Sequence, residues 1–213
     1  MWLVGSQRPA AEVEPVPWRI DNLERIGDHR VTVIGSPHVA PTPAGSTVEF
    51  NGKTDGLFLD VNPLVGLTRF TLEVVLEPSA DGPAEQRFVH VEETGTGNRA
   101  LIELRMLPGA SWYLDTFLRS PEPGLTLLDR DATHAAGRWH VAALTYDGMT
   151  MAHYVDGVRE ASGTVPFTPL RDGRTSIGVR QNMVSWFKGR IRLVRITPDA
   201  LTVDRLLLAG SPR

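Results

Sequence analysis

Between Gly137 and Gly157 the sequence reads GRWHVAALTYDGMTMAHYVDG, and this stretch restricts the fold more than any other. β-Branched and aromatic residues alternate with small ones on both sides of Asp147-Gly148, and Asp156-Gly157 ends the second run. Alternation at period two is the pattern of a strand, and an Asp-Gly pair between two such runs supplies the backbone of a tight hairpin turn. The stretch is predicted to be two antiparallel strands.

Runs of the same kind recur at short spacing. They span Phe70 to Glu77, Arg87 to Glu93, Ala100 to Met106, Ser111 to Leu118, Arg138 to Tyr146, Met149 to Val155, Thr175 to Arg180 and Phe187 to Thr197. Gly95, Gly97, Pro108-Gly109, Pro121, Pro123-Gly124 and Asp172-Gly173 punctuate them. This spacing favours a β-sandwich over alternating strands and helices. Upstream, Trp18 to Ile34 is a first strand region, Ser36 to Ser46 with its three prolines an irregular crossing loop, and TVEFNGKTDGLFLDV a second hairpin about Asn51-Gly52. Residues 1–17, rich in Pro, Ala and Glu, form an arm ahead of a single domain over 18–213.

The 213 residues, 41% hydrophobic and 22% charged, can build a core of ordinary size. A net charge of -3 with scattered basic residues provides no field for nucleic acid or an anionic membrane, so neither is an expected partner. Cysteine is absent, which excludes disulfides and thiolate metal sites. No stretch approaches the ~20 apolar residues of a membrane span. The first residues lack the basic and apolar regions of a secretory signal, so the cytoplasm is the expected compartment unless a leader was removed. Serine-hydrolase, nucleotide-binding and dinucleotide-binding fingerprints are missing.

Alternation also assigns faces. With Ala100, Ile102, Leu104 and Met106 inward, Glu103 and Arg105 point outward; with Val89 and Val91 inward, Phe88, His90 and Glu92 do. Trp112, Leu114, Thr116 and Leu118 inward leave Tyr113, Asp115 and Phe117 outward. The same reasoning turns out Glu73, His153 and Arg180. If these strands share a sheet, Glu73, His90, Glu92, Glu103, Arg105, Tyr113, Asp115, His153 and Arg180 converge on one groove. Trp186 is a loop aromatic able to stack on a ligand, whereas Trp18 and Trp139 are core anchors. Carboxylates accept from paired hydroxyls, arginine donates as a fork, and aromatic rings stack on a pyranose, so the groove is suited to an oligo- or polysaccharide.

Trp139-His140-Val141-Ala142, the Tyr146-Asp147-Gly148 turn and the Tyr154-Val155-Asp156-Gly157 turn follow one another as in the laminin G-like, or concanavalin A-like, jelly rolls. Phe50-Asn51-Gly52 with Asp55, and the closing FKGRIRLVRIT, extend the resemblance over about Thr47 to Leu208. It implies an all-β, two-sheet antiparallel jelly-roll β-sandwich, with PDALTVDRLLLA as a short C-terminal helix and His140 in a structural position. It also implies a glycan-binding module that requires no cofactor, although such domains often hold Ca²⁺ on loop oxygens. No dense Asp-x-Asp loop is present here, so no metal ligand is assigned.

Two enzymatic readings use the same groove. Glu103-Leu104-Arg105, then His140 or His153, then Trp186-Phe187-Lys188-Gly189 are similar to motifs of jelly-roll polysaccharide lyases, without their Gln-x-His pair and with Trp186 in place of a tyrosine. Glu92, Glu103 and Asp115 offer carboxylates to a glycoside hydrolase, without the Glu-x-Asp-x-x-Glu strand of the concanavalin A-like hydrolases. A protein-binding or structural module is the third reading. A carboxylate with a strongly shifted pKa would favour catalysis, and rim aromatics with ordinary titration would favour binding.

Overall fold

The computed structural model describes residues 14–121 and 123–208, so most of the expected arm, residues 1–13, lies outside it. Seventeen strands, numbered in chain order, form two antiparallel sheets. The first sheet runs β15 (Val158–Thr164), β14 (Thr150–Val155), β13 (His140–Tyr146), β7 (Phe70–Pro78), β17 (Lys188–Thr197), β5 (Gly45–Asn51) and β4 (His38–Thr42), with β1 (Val16–Arg19) also on β17. The second runs β11 (Leu125–Leu128), β10 (Ser111–Arg119), β9 (Arg99–Leu107), β8 (Glu85–Glu92), β16 (Arg174–Ile177), β6 (Gly56–Leu59), β3 (His29–Ile34) and β2 (Arg25–Ile26), with β12 (His134–Ala135) also on β10. This is a jelly-roll sandwich whose inner faces bury one core, built on Trp18, Phe50, Phe70, Phe88, Trp112 and Phe187.

The Gly137–Gly157 stretch forms the expected hairpin of β13 and β14, and the Asp147 carboxylate caps its turn through the N–H groups of Met149 and Thr150. Asp156 and Gly157, with φ of 49° and 81°, take the left-handed pair of a two-residue turn and lead into β15.

Several expectations need correction. TVEFNGKTDGLFLDV is not a hairpin, because β5 joins the first sheet and β6 the second. Asp55 fixes this crossing from a buried position, its carboxylate accepting the N–H groups of Ser36 and Asn51. The proline-rich Ser36–Ser46 segment contains β4, an edge strand in which Pro41 costs no ladder bond that a neighbour would require. β1 starts at Val16, so Val16 and Pro17 belong to the sandwich. The C-terminal helix reduces to one 3₁₀ turn, Val203–Arg205.

That C-terminal segment covers the outer face of the first sheet. Leu207 packs on Val75, Val141, Trp139 and Leu193, while Leu201 and Leu206 pack on Ala143 and Tyr154. Trp139 therefore anchors this outer layer rather than the inter-sheet core. Glu73 holds the segment in place, accepting the Leu207 N–H at 2.7 Å and pairing with Arg195, which donates to the Arg205 carbonyl at 3.1 Å. The centre of the first sheet's outer face is thus covered, and the polar residues that alternation turns outward on β8, β9 and β10 lie on the outer face of the second sheet.

Candidate functional site

Cross-strand register sorts the outer face of the second sheet into four rows. Glu85, Arg105 and Tyr113 make the first, and Arg87, Glu103, Asp115 and Leu128 the second. Phe58, Ser176, His90, Leu101, Phe117 and Thr126 make the third, and Arg174, Glu92, Arg99 and Arg119 the fourth. The face thus passes from an ionic network through a mixed strip, apolar at Phe58, Leu101 and Phe117, to a cationic edge.

In the ionic rows, Arg105 Nε donates to Asp115 Oδ2 at 2.8 Å, Arg87 pairs with Glu103, and Glu85 receives Arg105 and, at 2.9 Å, Arg87. Glu103 is 4% and Asp115 1% exposed, although both lie on the solvent side of the sheet. Asp115 Oδ1 is buried and has no hydrogen-bond partner. Burial, reinforced by the adjacent Asp115 carboxylate, pushes Glu103 up to about 7 against the pull of Arg87 and Arg105. Burial raises Asp115 as well.

The loop after β16 closes over one side of this face. Gln181 N–H donates to His90 Nδ1 at 3.0 Å, and its side-chain amide donates to the Arg174 carbonyl at 2.7 Å. Arg87 N–H donates to the Ser185 carbonyl at 2.9 Å. Since His90 Nδ1 is the acceptor, the ring proton sits on Nε2, 2.9 Å from Glu92 Oε2. Burial lowers the pKa of His90, so this neutral tautomer persists at neutral pH. Met183 and Ser185 occupy left-handed conformations at φ of 62° and 56°, a strain that the anchored loop sustains.

The laminin G model of the concanavalin A-like lectin/glucanases superfamily matches residues 51–206. The chain belongs to this superfamily. A comparison with curated protein sequences gives no match. Among solved structures, domain 4 of AbnA, a GH43 extracellular arabinanase from Geobacillus stearothermophilus in complex with arabinotriose, aligns at TM-score 0.68 and 19% identity, covering 91% of this chain and 97% of that domain. The Ruminococcus gnavus IT-sialidase CBM40 bound to α2,3-sialyllactose aligns at TM-score 0.56 and 16% identity, over 75% of this chain and 94% of that one. The binding domain of botulinum neurotoxin DC in complex with SialylT aligns at 0.65 and 11% identity, over 89% of this chain and 49% of the toxin domain. At these identities the likeness is one of fold.

Within this concanavalin A-like sandwich, the structure brings His90, Glu92, Glu103, Arg105, Tyr113 and Asp115 to one face. Arg180 approaches from the loop, its charge acting on His90, Glu92, Arg99 and Glu103. Trp186 ends the loop at the β6 side, where a Cβ on Gly56 would meet its ring at 3.6 Å.

His153 is excluded from the groove. It is fully buried between the sheets, with Nδ1 2.9 Å from Thr116 Oγ1 and Nε2 3.9 Å from Glu160. Opposite it in the ladder stands Leu144, a core residue, so the two share the inner face. Glu73 lies on the first sheet beneath the C-terminal segment. Phe88 also faces inward, because β8 carries a bulge between Arg87 and Val89. The same bulge turns Arg87 out beside Glu103, a site residue that strict alternation hides. His140 is structural: its Nδ1 lies 2.7 Å from Asp156 Oδ2 and its Nε2 2.9 Å from the Ala135 carbonyl. Among the described residues, no three His, Cys, Asp or Glu side chains gather as a metal's ligands would.

Proposed function

We propose that the outer face of the second sheet binds an oligo- or polysaccharide. The observation that carries this reading is the buried ionic network on the solvent side of the sheet, in which Asp115 Oδ1 keeps an unused acceptor beside the strip containing Leu101 and Phe117. Sugar recognition requires such a pairing, with fixed acceptors and forked donors for hydroxyls beside an apolar surface for the ring. The arabinotriose and sialyllactose held by two of the aligned domains lend support to this class of ligand.

Glu103 favours a second reading, glycoside hydrolysis. A carboxyl group with a pKa of about 7 beside a second carboxylate can act as a general acid. The ion pair between Arg87 and Glu103 weighs against it, since a general acid would have to break that pair to pass its proton to a glycosidic oxygen.

The test is a thermal-shift screen of neutral and charged oligosaccharides, followed by calorimetry and product analysis on each one that stabilises the protein. Binding without turnover is expected, weakened about tenfold or more by Arg105→Ala and by Phe117→Ala, the latter lying outside the ionic network. Products formed by addition of water would select the hydrolase. Unchanged affinity in both folded variants would remove the ligand from this face.

A further inference from the structure

The fourth row holds three arginines, Arg174, Arg99 and Arg119, with Glu92. Arg99 and Arg119 stand directly opposite each other on β9 and β10, an arrangement of like charges that costs stability. Their guanidinium groups both donate to one acceptor, the Gly97 carbonyl, at 2.8 and 2.9 Å. Arg99 Nε is buried and has no hydrogen-bond partner. The Arg99 guanidinium is also held 4.6 Å from the centre of the Phe117 ring, at the border of the apolar strip.

Arg180 adds a further positive charge beside Arg99. Its backbone N–H donates to Val184, but its guanidinium forms no hydrogen bond or ion pair among the described residues. Glu92 is the carboxylate of this row, and it is already occupied by His90. Burial, followed by the charges of Arg119 and Arg180, draws the pKa of Arg99 downward against the pull of Glu92 and Glu103.

We propose that Arg99 and Arg180 form a subsite for the carboxylate of an acidic sugar whose ring lies on the Phe117 strip. This rests on the glycan-binding reading and specifies its ligand class. The carboxylate would supply the acceptor that Arg99 Nε lacks and the counter-charge that Arg180 lacks, both as charge-assisted hydrogen bonds. The hydroxyls of the same ring, or of the next, would meet Asp115 Oδ1 two rows away. The neutral His90, held between Gln181 and Glu92, fixes the loop carrying Arg180, so the second arginine is positioned before a ligand arrives.

A ring carboxylate can come from an internal uronate or from a terminal sialate, and matched pairs distinguish them. Calorimetry would compare trigalacturonate with its methyl ester, and 3′-sialyllactose with lactose, for the wild-type protein and for Arg99→Gln, Arg180→Gln and, as a control on the first sheet, Arg190→Gln. The acidic member of one pair is expected to bind at least tenfold more tightly than its neutral partner. That ratio should fall towards one in Arg99→Gln and Arg180→Gln, persist in Arg190→Gln and shrink with added salt. Equal binding of acidic and neutral members in both pairs would overturn the carboxylate subsite and leave the sugar-binding face standing. If no member of either pair binds, the subsite is overturned and the neutral panel alone decides the fate of the face.

Discussion

Glu103 joins an electrostatic cost to a site on one residue. Its proton is held in the folded protein up to about 7, whereas an unfolded glutamate releases it near its ordinary value of 4.5. Between those values the folded state binds more protons, so this residue contributes stability below about pH 4.5 that is lost as the pH rises towards 7, to a limit of roughly 3 kcal/mol. Urea unfolding of Glu103→Gln from pH 4.5 to 7.5 should therefore give a flatter profile than the wild type. Parallel profiles would mean that Glu103 ionises normally. Alternation alone, with Ile102 and Leu104 as the apolar neighbours, places Glu103 on the outer face. Its pairing with Arg87 could not be read in that way, because the Phe88 bulge breaks the period on which the assignment depends.

His153 illustrates the same limit within a strand. Met151, His153 and Val155 share a face, and the flanking hydrophobes are the true signal; a polar residue among them is an interior residue with a partner, here Thr116 across the sandwich. Burial lowers its pKa to about 4. The unfolded state then binds more protons below about pH 6.5, and stability contributed by the neutral ring is lost as the pH falls from there towards 4. His153→Gln should lose about 2 kcal/mol less than the wild type between pH 7 and pH 5, measured by denaturant unfolding. An identical loss would show that His153 is not the acid-sensitive group. The β13–β14 hairpin that carries it was legible from its Asp-Gly turns, since turn chemistry is local. The partition of β5 and β6 between two sheets was not, because Asn51-Gly52 turns the chain in either case and the choice rests on Asp55 capturing Ser36, 19 residues away.

For the molecule as a whole, the C-terminal segment covers the centre of the first sheet's outer face. Removing residues 198–213 would uncover Val75, Val141 and Ala143 and strip Glu73 of the Leu207 N–H while leaving its pairing with Arg195. The truncated protein should melt several degrees lower and bind a hydrophobic dye or self-associate, as a newly exposed apolar patch does. An unchanged melting temperature and a monomeric truncation would show that the segment is dispensable. The sequence by itself determined the all-β class, most strand positions and the inward or outward side of β9 and β10, since these follow from side-chain alternation and turn residues within a few positions. Only the tertiary structure decided which strands are neighbours, which sheet face is covered, and that Arg87, Glu103, Asp115, Arg99 and Arg180 belong together while Glu73 and His153 do not. Those outcomes depend on non-local pairing, one bulge and a chain terminus folding back, none of which leaves a periodic mark on the residues it affects.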